Sequence, residues 1–403
     1  MSTLDTYLFN LYKGPFSTVP FLVENPRGDL VQNIRFGYYG DMIMPLVDEL
    51  NSFLEGEPWL RTMDFVRGAL FPFEVKHNNE IENYNDSISL VNNYANGTRK
   101  RMPIPKNAQQ QRIINLSKGY SHILKGESIT APNLAKLYSI LSNGLLDPED
   151  RLLPRHRYRH DDVEIHTSRI LTAEPEHGVK TDNVDSMMDN LFDYINTPVD
   201  QDDMVATFIR SQLIHYQFVY IHPYFDVNGR TARTTGIWYL LNNEAFPFIL
   251  FNRAIHYDKA NYYKVIRETK KYKNATYFLN YMLSNVIGEL EKEYVVKHIQ
   301  ESISSELSIE ERQMLHYILT NRSIDSTLDL TDFYNRYNPK SSPQQVQKGM
   351  IEPLVDKGVV QITGYGKTKS DNAFLSLNPR VIIDNPKKIK RLDLSAKCAK
   401  RKD

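Results

Sequence analysis

The chain has 403 residues, which predicts two or three domains, and no apolar run approaches the length of a membrane span. Lys and Arg together number 49, as do Asp and Glu, so the net charge is zero and nothing in it argues for a nucleic-acid or membrane partner. Cys398 is the single cysteine, which excludes an intrachain disulfide or a multi-cysteine zinc site and favours the reducing cytoplasm.

The first two thirds of the chain are dominated by patterns typical of helices. Residues 1–40 are aromatic and rich in turn formers, so we expect an irregular arm wrapped on the core. A basic, turn-rich linker is expected at 96–105. Apolar residues at helical spacing predict helices over 41–55, 64–76, 109–126, 132–145, 185–196 and 203–221.

Two shorter features accompany these helices. Residues 159–165 alternate toward a strand, and a partner strand is expected at 169–172. His215 lies seven residues before His222, which raises the possibility of a metal pair. We interpret His215 as a buried, hydrogen-bonded core histidine, because no second histidine cluster or group of cysteines completes a zinc site.

Residues 222–233 read His-Pro-Tyr-Phe-Asp-Val-Asn-Gly-Arg-Thr-Ala-Arg and lie between helix 203–221 and a second predicted helix at 231–241. The free N–H groups and positive dipole at the start of a helix attract anions. Asn228 and Gly229 can adopt the positive φ angles that turn several backbone N–H groups inward. The stretch therefore has the backbone properties of a polyphosphate site.

Charged side chains in the same stretch add chemistry to this site. Arg230 and Arg233 are three residues apart, so they lie on one helix face and can hold phosphate oxygens in a fork. Asp226 is a hard oxygen donor suited to Mg²⁺ between phosphates, and His222 is a base at neutral pH. Together they indicate transfer of a phosphate-linked group to an acceptor hydroxyl.

The stretch resembles the signature loop of Fic-domain proteins, His-Pro-Phe-x-(Asp/Glu)-Gly-Asn-Gly-Arg-x-x-Arg. The matching positions are His222, Pro223, Asp226, Asn228, Gly229, Arg230 and Arg233. Tyr224 replaces the Phe and keeps an aromatic anchor. Val227 replaces the first Gly, and a β-branched residue is strained there if the position needs a positive φ.

The resemblance, which spans roughly residues 60–295, implies a mainly α fold: a Fic helical bundle with a small β-hairpin flap. In the family the flap, here near 159–172, aligns the target segment by main-chain pairing. Most Fic enzymes move AMP from ATP to a Tyr, Thr or Ser hydroxyl of a protein. The implied enzyme is a protein adenylyltransferase, that is, a nucleotidyltransferase that uses ATP as substrate and Mg²⁺ as cofactor.

The resemblance also assigns roles to single residues. His222 takes the proton from the acceptor hydroxyl, and Asp226 holds Mg²⁺ on the α- and β-phosphates. The implied ATP-binding residues are Asn228, Gly229, Arg230, Arg233 and Tyr263. Asn228 and Gly229 bind phosphate oxygens, Arg230 the β-phosphate and Arg233 the γ-phosphate. Tyr263 is a candidate for stacking on adenine, with core packing as the equal alternative.

A second motif resembles the family's inhibitory sequence, (Ser/Thr)-x-x-x-Glu-(Gly/Asn). Residues 78–83 read Asn-Asn-Glu-Ile-Glu-Asn, so Glu82 and Asn83 match and Asn78 stands in for Ser/Thr. In the family this Glu pairs with the second signature arginine, here Arg233, and keeps it from the γ-phosphate. Residues 51–56 fit the same loose pattern through Glu55, but we prefer Glu82 because Gly56 reads as an ordinary helix end.

From residue 305 the pattern resembles a winged helix. Capping boxes at 308–311 and 342–345 open helices, and another short helix is expected at 330–337. Strands are expected at 359–363 and 373–377, joined by a Gly-rich wing. The expected division is 1–120 for an N-terminal arm and regulatory helices, 121–300 for the Fic core, 301–384 for a winged-helix-like domain and 385–403 for a basic tail.

Several readings of function remain open on the sequence alone. The partners are ATP and an unknown target protein, which could be the chain itself. Little positive charge lies on the expected recognition helix, so protein docking or a homodimer is favoured over DNA binding. Alternatives are de-AMPylation with Glu82 positioning water, use of another nucleotide, a nucleotide-sensing DNA-binding regulator, or an inactive scaffold because of Val227.

Overall fold

The computed structural model describes residues 15–25, 27–31, 36–84, 88–95, 104–165, 176–200, 202–303, 305–321, 342–365 and 373–378. Over these ranges the protein is mainly helical, and its strands form four separate antiparallel pairs. None of the helices described has the length and the apolar character needed to cross a membrane. The prediction of a mainly α fold is confirmed.

The N-terminal arm is more regular than the sequence indicates. Its strands are β1 Phe16–Thr18, β2 Val23–Glu24, β3 Leu30–Val31 and β4 Gly37–Tyr39, with β1 paired to β4 and β2 paired to β3. Phe21 and Phe36 are buried, and the Phe36 ring stacks on Tyr216 with 5.3 Å between ring centroids. The side chain of Gln217 donates to Leu22 O at 3.0 Å, so the arm is bound to the central helix of the core.

The body of the protein consists of twelve helices in chain order within the described residues. They are α1 Gly40–Leu54, α2 Met63–Gly68, α3 Val75–Ile81, α4 Ile88–Ala95, α5 Ala108–Ile123, α6 Ala131–Ser142, α7 Thr181–Asn196, α8 Met204–Ile221, α9 Asn228–Asn242, α10 Phe251–Tyr257, α11 Lys259–Tyr272 and α12 Thr276–Ser302. Each helix expected in the first 221 residues is present within a few residues of its predicted bounds, except the one at 64–76.

That exception is a break in the segment that leads to the site. The expected helix at 64–76 is divided into α2, a π-turn at Ala69–Glu74 and α3. Pro72 lies inside the turn and Phe71 has non-helical angles, because proline has no N–H to continue the hydrogen-bond ladder. The break separates α2 from α3, and α3 then ends at Ile81 with Glu82 as its C-cap.

The antiparallel pair of α8 and α9 lies at the centre of the core. Nearly every side chain of both helices is buried, including Trp238, which fits helices surrounded on all sides by α3, α5, α6, α7 and α12. His215 on α8 is fully buried, and its Nε2 is 2.9 Å from the Tyr262 hydroxyl. The core interpretation of His215 is therefore confirmed.

The C-terminal region has the expected elements where it is described. These are α13 Ile309–Asn321, α14 Pro343–Val346, a π-turn at Gln347–Ile351, α15 Glu352–Asp356, and the antiparallel strands β7 Val360–Tyr365 and β8 Ala373–Leu377. Both capping boxes are present: Ser308 Oγ accepts from Glu311 N at 3.1 Å, and Ser342 Oγ accepts from Gln345 N at 3.3 Å. The helix expected at 330–337, the tip of the wing, the basic tail and most of the linker at 96–105 lie outside the described residues.

Candidate active site

The loop between α8 and α9 contains two residues in the left-handed region. His222 has φ 55° and ends α8, where its N–H donates to Phe218 O at 3.0 Å. Val227 has φ 67° and ψ 9°, and its carbonyl accepts from Thr231 N at 3.0 Å. Helix α9 therefore begins at Asn228, three residues before the predicted start at 231. Position 227 does need a positive φ, so Val227 is strained as anticipated.

Two side chains hold this loop in shape. Asn228 Oδ1 accepts from Tyr224 N at 2.9 Å, and Asn228 Nδ2 donates to Tyr224 O at 2.7 Å. The Tyr224 ring is buried and stacks on Tyr138 of α6 with 3.6 Å between centroids. The side chain of Asn228 is therefore used within the loop, and the expectation that Asn228 binds phosphate stays a prediction. Asn228 can contribute its backbone N–H instead.

The start of α9 presents open backbone donors. The N–H groups of the first helical residues, Asn228 to Arg230, come before Thr231, whose N–H is the first intrahelical donor, and so have no partner in the helix. Gly229 is in this first turn, and a Cβ placed there would lie 2.7 Å from Glu82 Oε1 and 3.0 Å from Arg233 Nη1. The absence of a Cβ at Gly229 therefore gives the Glu82 carboxylate room to lie this close to the helix backbone.

His222 is partly buried and faces the same space. Its burial, reinforced by the positive charge of Arg159, lowers the pKa of His222 from 6.5 to about 4. The imidazole is therefore neutral at pH 7 and can accept a proton. The sequence prediction of a base at this position agrees with this environment.

Arg159 is a site residue that the sequence reasoning missed. It is buried, and its Nε donates to His222 O at 2.9 Å while its N–H donates to Pro223 O at 2.8 Å. Its Nη1 donates to Thr181 Oγ1 at 2.8 Å, and its Nη2 donates to Val179 O. Since these partners are mostly backbone carbonyls far away in sequence, no local pattern could indicate the role of Arg159.

Arg230 and Asp226 form the polar floor of the site. Asp226 is exposed, its Oδ1 accepts from Val227 N at 2.6 Å, and its Oδ2 lies 3.9 Å from Arg230 Nη2. Arg230 is buried, and its Nη1 has no hydrogen-bond partner among the described residues. A buried guanidinium nitrogen that is left without an acceptor fits an anionic ligand. The exposed Asp226 carboxylate beside it suits a Mg²⁺ that keeps waters and phosphate oxygens as its other ligands.

Arg233 is fully buried and meets the segment 78–82 directly. Arg233 Nη2 donates to Glu82 Oε1 at 2.6 Å, and Arg233 Nε donates to Asn78 Oδ1 at 2.8 Å. Burial acts to raise the pKa of Glu82, but the charges of Arg233 and Arg230 outweigh it and hold that pKa below its usual value. Glu82 is thus ionised at neutral pH and occupies the guanidinium, whereas Glu55 is exposed at the end of α1.

Asn78 and Lys259 fix the position of this segment. Asn78 Nδ2 donates to the Tyr120 hydroxyl at 2.9 Å, which leaves Asn78 Oδ1 for Arg233. Lys259 Nζ on α11 donates to Asn83 Oδ1 at 2.5 Å, directly after Glu82. The amide of Asn78 therefore links Tyr120 and Arg233, and Lys259 is a further contact that no sequence signal indicated.

These groups surround one cavity of about 660 Å³. Its walls include His222, Asp226, Arg230, Arg233 and Glu82, together with the aromatic ring of Tyr263. Tyr263 is partly buried and its ring meets Tyr262 edge-on at 5.2 Å, so it packs against the core and lines the cavity at once. The volume is in the range of small-molecule sites.

A strand pair lies at the mouth of the cavity. β5 Glu164–Ile165 pairs with β6 Glu176–His177, and Ile165 and Glu176 line the cavity. The partner strand expected at 169–172 lies outside the described residues, and the strand that pairs with β5 is β6. The prediction of a strand over 159–165 is right only for its last two residues, because residues 159–163 are irregular and bend at His160 and Asp161.

One cavity of this helical fold thus combines a neutral histidine, an exposed carboxylate, an open helix N-terminus and two arginines. Residues 129–240 match the model of the Fic/DOC family. The crystal structure of a Fic family protein from Desulfovibrio desulfuricans G20 has a TM-score of 0.53 and 18% identity, over 92% of this chain and 99% of that chain. Residues 129–240 are thus a Fic/DOC domain, and the resemblance stated from the sequence is confirmed.

Two further solved structures are similar over part of the chain. A Fic domain containing signaling protein from Bacteroides thetaiotaomicron VPI-5482 has a TM-score of 0.45 and 17% identity, over 62% of this chain and 94% of that chain. Fic-1 from C. elegans has a TM-score of 0.45 and 16% identity, over 65% of this chain and 73% of that chain. Members of the family typically transfer a nucleoside monophosphate to proteins.

Proposed function

We propose that this protein is an adenylyltransferase that moves AMP from ATP to a hydroxyl side chain of a target protein. The observation that carries the proposal is the convergence of His222, Asp226, Arg230 and Arg233 with the open start of α9 on one cavity. Group transfer from a polyphosphate needs a base, a metal ligand and hydrogen-bond donors to the phosphate oxygens. The histidine, the carboxylate, the two guanidinium groups and the backbone N–H groups supply them.

We expect the triphosphate to bind at the positive N-terminal end of helix α9. The backbone N–H groups from Asn228 to Arg230 point outward from the N-terminal end of α9, where the helix dipole favours negative charge. Arg230, whose Nη1 lacks a partner within the described residues, is the natural contact for the β-phosphate. Arg233 is placed to take the γ-phosphate once Glu82 leaves it. Tyr263 offers a ring for the base.

The reaction is a displacement at the α-phosphorus. The acceptor oxygen forms a bond to this phosphorus, the bond to the oxygen that bridges the α- and β-phosphates breaks, and pyrophosphate leaves with the electron pair. The hydroxyl proton passes to the neutral imidazole of His222. Asp226 would hold Mg²⁺ against the phosphates, and that ion supplies neutralisation of their charge when bound.

The same site is arranged for self-inhibition by Glu82. One guanidinium cannot hold both a carboxylate and a γ-phosphate, and the Glu82 Oε1 to Arg233 Nη2 contact of 2.6 Å uses the donor that the phosphate needs. Glu82 Oε1 also lies 2.7 Å from the position of a Cβ at Gly229, so it sits over the start of α9. Both observations support a carboxylate that displaces substrate phosphate.

The test uses ATP labelled at the α-phosphate, Mg²⁺ and cell lysate. We expect weak labelling of protein by the wild type, strong labelling by Glu82→Gly, and none by Glu82→Gly combined with His222→Ala. Glu55→Gly is the matched control, because Glu55 carries the competing motif but is exposed on α1.

A parallel reaction with ATP labelled at the γ-phosphate separates the alternatives. Adenylyl transfer labels protein only from the α-position, whereas phosphoryl transfer labels it only from the γ-position. Mass spectrometry of the labelled protein identifies the nucleotide, and loss of AMP from a modified target would indicate the reverse reaction. Absence of α-label in the Glu82→Gly variant would overturn the proposal.

A further inference from the structure

A second cluster of chemically active side chains lies behind the inhibitory segment, outside the cavity described above. His77 and Glu80 are three residues apart on α3, so they share one helix face, and His256 faces them from α10. His77 Nδ1 is 3.0 Å from Glu80 Oε2, and His256 Nε2 is 3.5 Å from the same oxygen. The three ligand atoms lie within 4.8 Å of one another.

These separations suit a shared cation. Zinc binds nitrogen and oxygen ligands at about 2.0–2.2 Å in a tetrahedron, which places neighbouring ligand atoms about 3.3–3.6 Å apart. The His256–Glu80 distance of 3.5 Å is in that range, whereas the His77–Glu80 distance of 3.0 Å is slightly shorter and is that of a hydrogen bond, which a bound ion would replace. Two histidines and one carboxylate are also a ligand set that zinc uses, with water in the fourth position.

The surroundings define how the carboxylate would bind. Glu80 Oε1 is ion-paired with Lys76, and both side chains are fully buried, so Oε2 alone faces the imidazoles. Tyr257 closes one side, with ring centroids 5.7 Å from His77 and 5.1 Å from His256. The side chain of His256 is 13% exposed, which leaves an approach from solvent.

We propose that His77, Glu80 and His256 form a binding site for one Zn²⁺ ion. The ion would join α3 to α10 through monodentate Glu80 and one nitrogen of each histidine. Lys76 limits the affinity, because its ammonium group is a like charge beside the bound cation. This site is separate from the phosphate cavity, since none of its three ligands lines that cavity.

The position of the site gives it a regulatory consequence. Helix α3 carries both Asn78 and, at its C-terminal cap, Glu82, and these two residues contact Arg233. Zinc that fixes α3 against α10 would hold Glu82 over the start of α9. This consequence rests on the proposed function, whereas the binding of zinc does not.

Isothermal titration of zinc into the full chain, purified without a polyhistidine tag, tests the site. We expect one ion per chain, with the affinity reduced at least about a hundredfold in His256→Ala, since even outer contacts of a metal site are worth 10–100-fold. His156→Ala is the control, because His156 is exposed and belongs to no part of the cluster. Substitution by Co²⁺ should give the visible absorption of a tetrahedral ion.

Lys76→Met separates a metal site from a purely hydrogen-bonded cluster. Removal of the like charge should tighten zinc binding by about tenfold or more if the ion sits beside Glu80. Circular dichroism checks that each variant folds. No stoichiometric binding by the wild type, or equal affinity in the wild type and His256→Ala, would overturn the proposal. Because no step uses ATP, this result is independent of whether the chain transfers AMP.

Discussion

The cavity lined by His222, Arg233 and Glu82 has two sides that are built in different ways. On one side, the loop and first turn of α9 are held by internal contacts, with Asn228 bonded twice to Tyr224 and Arg159 bonded to His222 O. On the other side, α3 contributes Glu82 from its C-terminal end, where 31% of the side chain is exposed. Its partner Arg233 is 1% exposed.

This difference distinguishes a permanent side of the site, formed by the loop and the first turn of α9, from a removable contact, formed by Glu82. Every polar contact that shapes the α9 side lies within the loop or comes from buried neighbours, so substrate does not have to displace them. The contact of Glu82 with Arg233 is a charge-assisted hydrogen bond at the edge of the cavity, worth about 1.5–3 kcal/mol, which a triphosphate can replace. The predictions below change one side at a time.

The largest effect is expected from the α9 side. His222→Ala in the Glu82→Gly background should lower the rate of AMP transfer by ~10²–10⁴-fold, because the proton acceptor is lost. The affinity for ATP should change little, since the imidazole is not among the proposed phosphate contacts. Single-turnover rates and ATP titration measure the two quantities separately. An unchanged rate would remove His222 from the role of base.

Glu82→Gly is expected to have the next largest effect, on ATP affinity. Loss of a contact worth about 1.5–3 kcal/mol should tighten ATP binding by about 10–100-fold, because the γ-phosphate no longer competes for Arg233. Without ATP the variant should be less stable, since a buried guanidinium loses its charged partner. Thermal unfolding with and without ATP measures both changes. Equal ATP affinity in Glu82→Gly and the control Glu55→Gly would contradict the competition.

A pH profile examines how the α9 side keeps His222 neutral. Because the pKa of His222 is about 4, below its ordinary 6.5, transfer in the Glu82→Gly background should persist at pH 5 and fall only as the pH approaches 4. Arg159→Met removes a positive charge that lowers this pKa, so the acid limb should move to higher pH. Arg157→Met is the control, because Arg157 is exposed two residues away. If the acid limb of the pH profile moved equally in Arg159→Met and Arg157→Met, a specific role of Arg159 in lowering the pKa of His222 would be excluded.

The same contrast explains what the sequence could and could not predict. The permanent side is local: a stretch of twelve residues contains the candidate base, the carboxylate and both arginines, so the sequence alone indicates its motif and the two flanking helices. The break at Pro72 was missed because the apolar spacing of 64–76 continues through it, although a proline inside a helical pattern is itself a signal for a break. The start of α9 was placed too late because Val227 caps it without a side-chain hydrogen bond.

Contacts between segments that are far apart in the chain could not be predicted from the sequence. Arg159 reaches His222 O, and Lys259 reaches Asn83, across 63 and 176 positions of the chain. No periodicity relates residues so far apart, and their partners are partly backbone atoms that any residue type provides. The inhibitory segment was readable only through its family motif, because the pairing of Glu82 with Arg233 spans 151 positions.

The smallest expected effect concerns the backbone strain at Val227, a residue of the permanent side. A residue with a Cβ in the left-handed region costs about 1–2 kcal/mol relative to glycine, and Val227 has φ 67°. Val227→Gly relieves this cost, whereas Val227→Ala keeps most of it while also losing buried methyl groups. We therefore expect Val227→Gly to be more stable than Val227→Ala by about 1 kcal/mol, as measured by urea unfolding.

Lys118 supplies the matched comparison, since it is exposed in the middle of α5. There the order should be the ordinary one, with Lys118→Ala more stable than Lys118→Gly by about 0.5–1 kcal/mol. If alanine were also the more stable residue at position 227, the loop would not hold a positive φ in solution. The N–H groups of Asn228 and Gly229 would then lose the orientation on which the anion site depends, because that orientation starts from the left-handed turn at Val227.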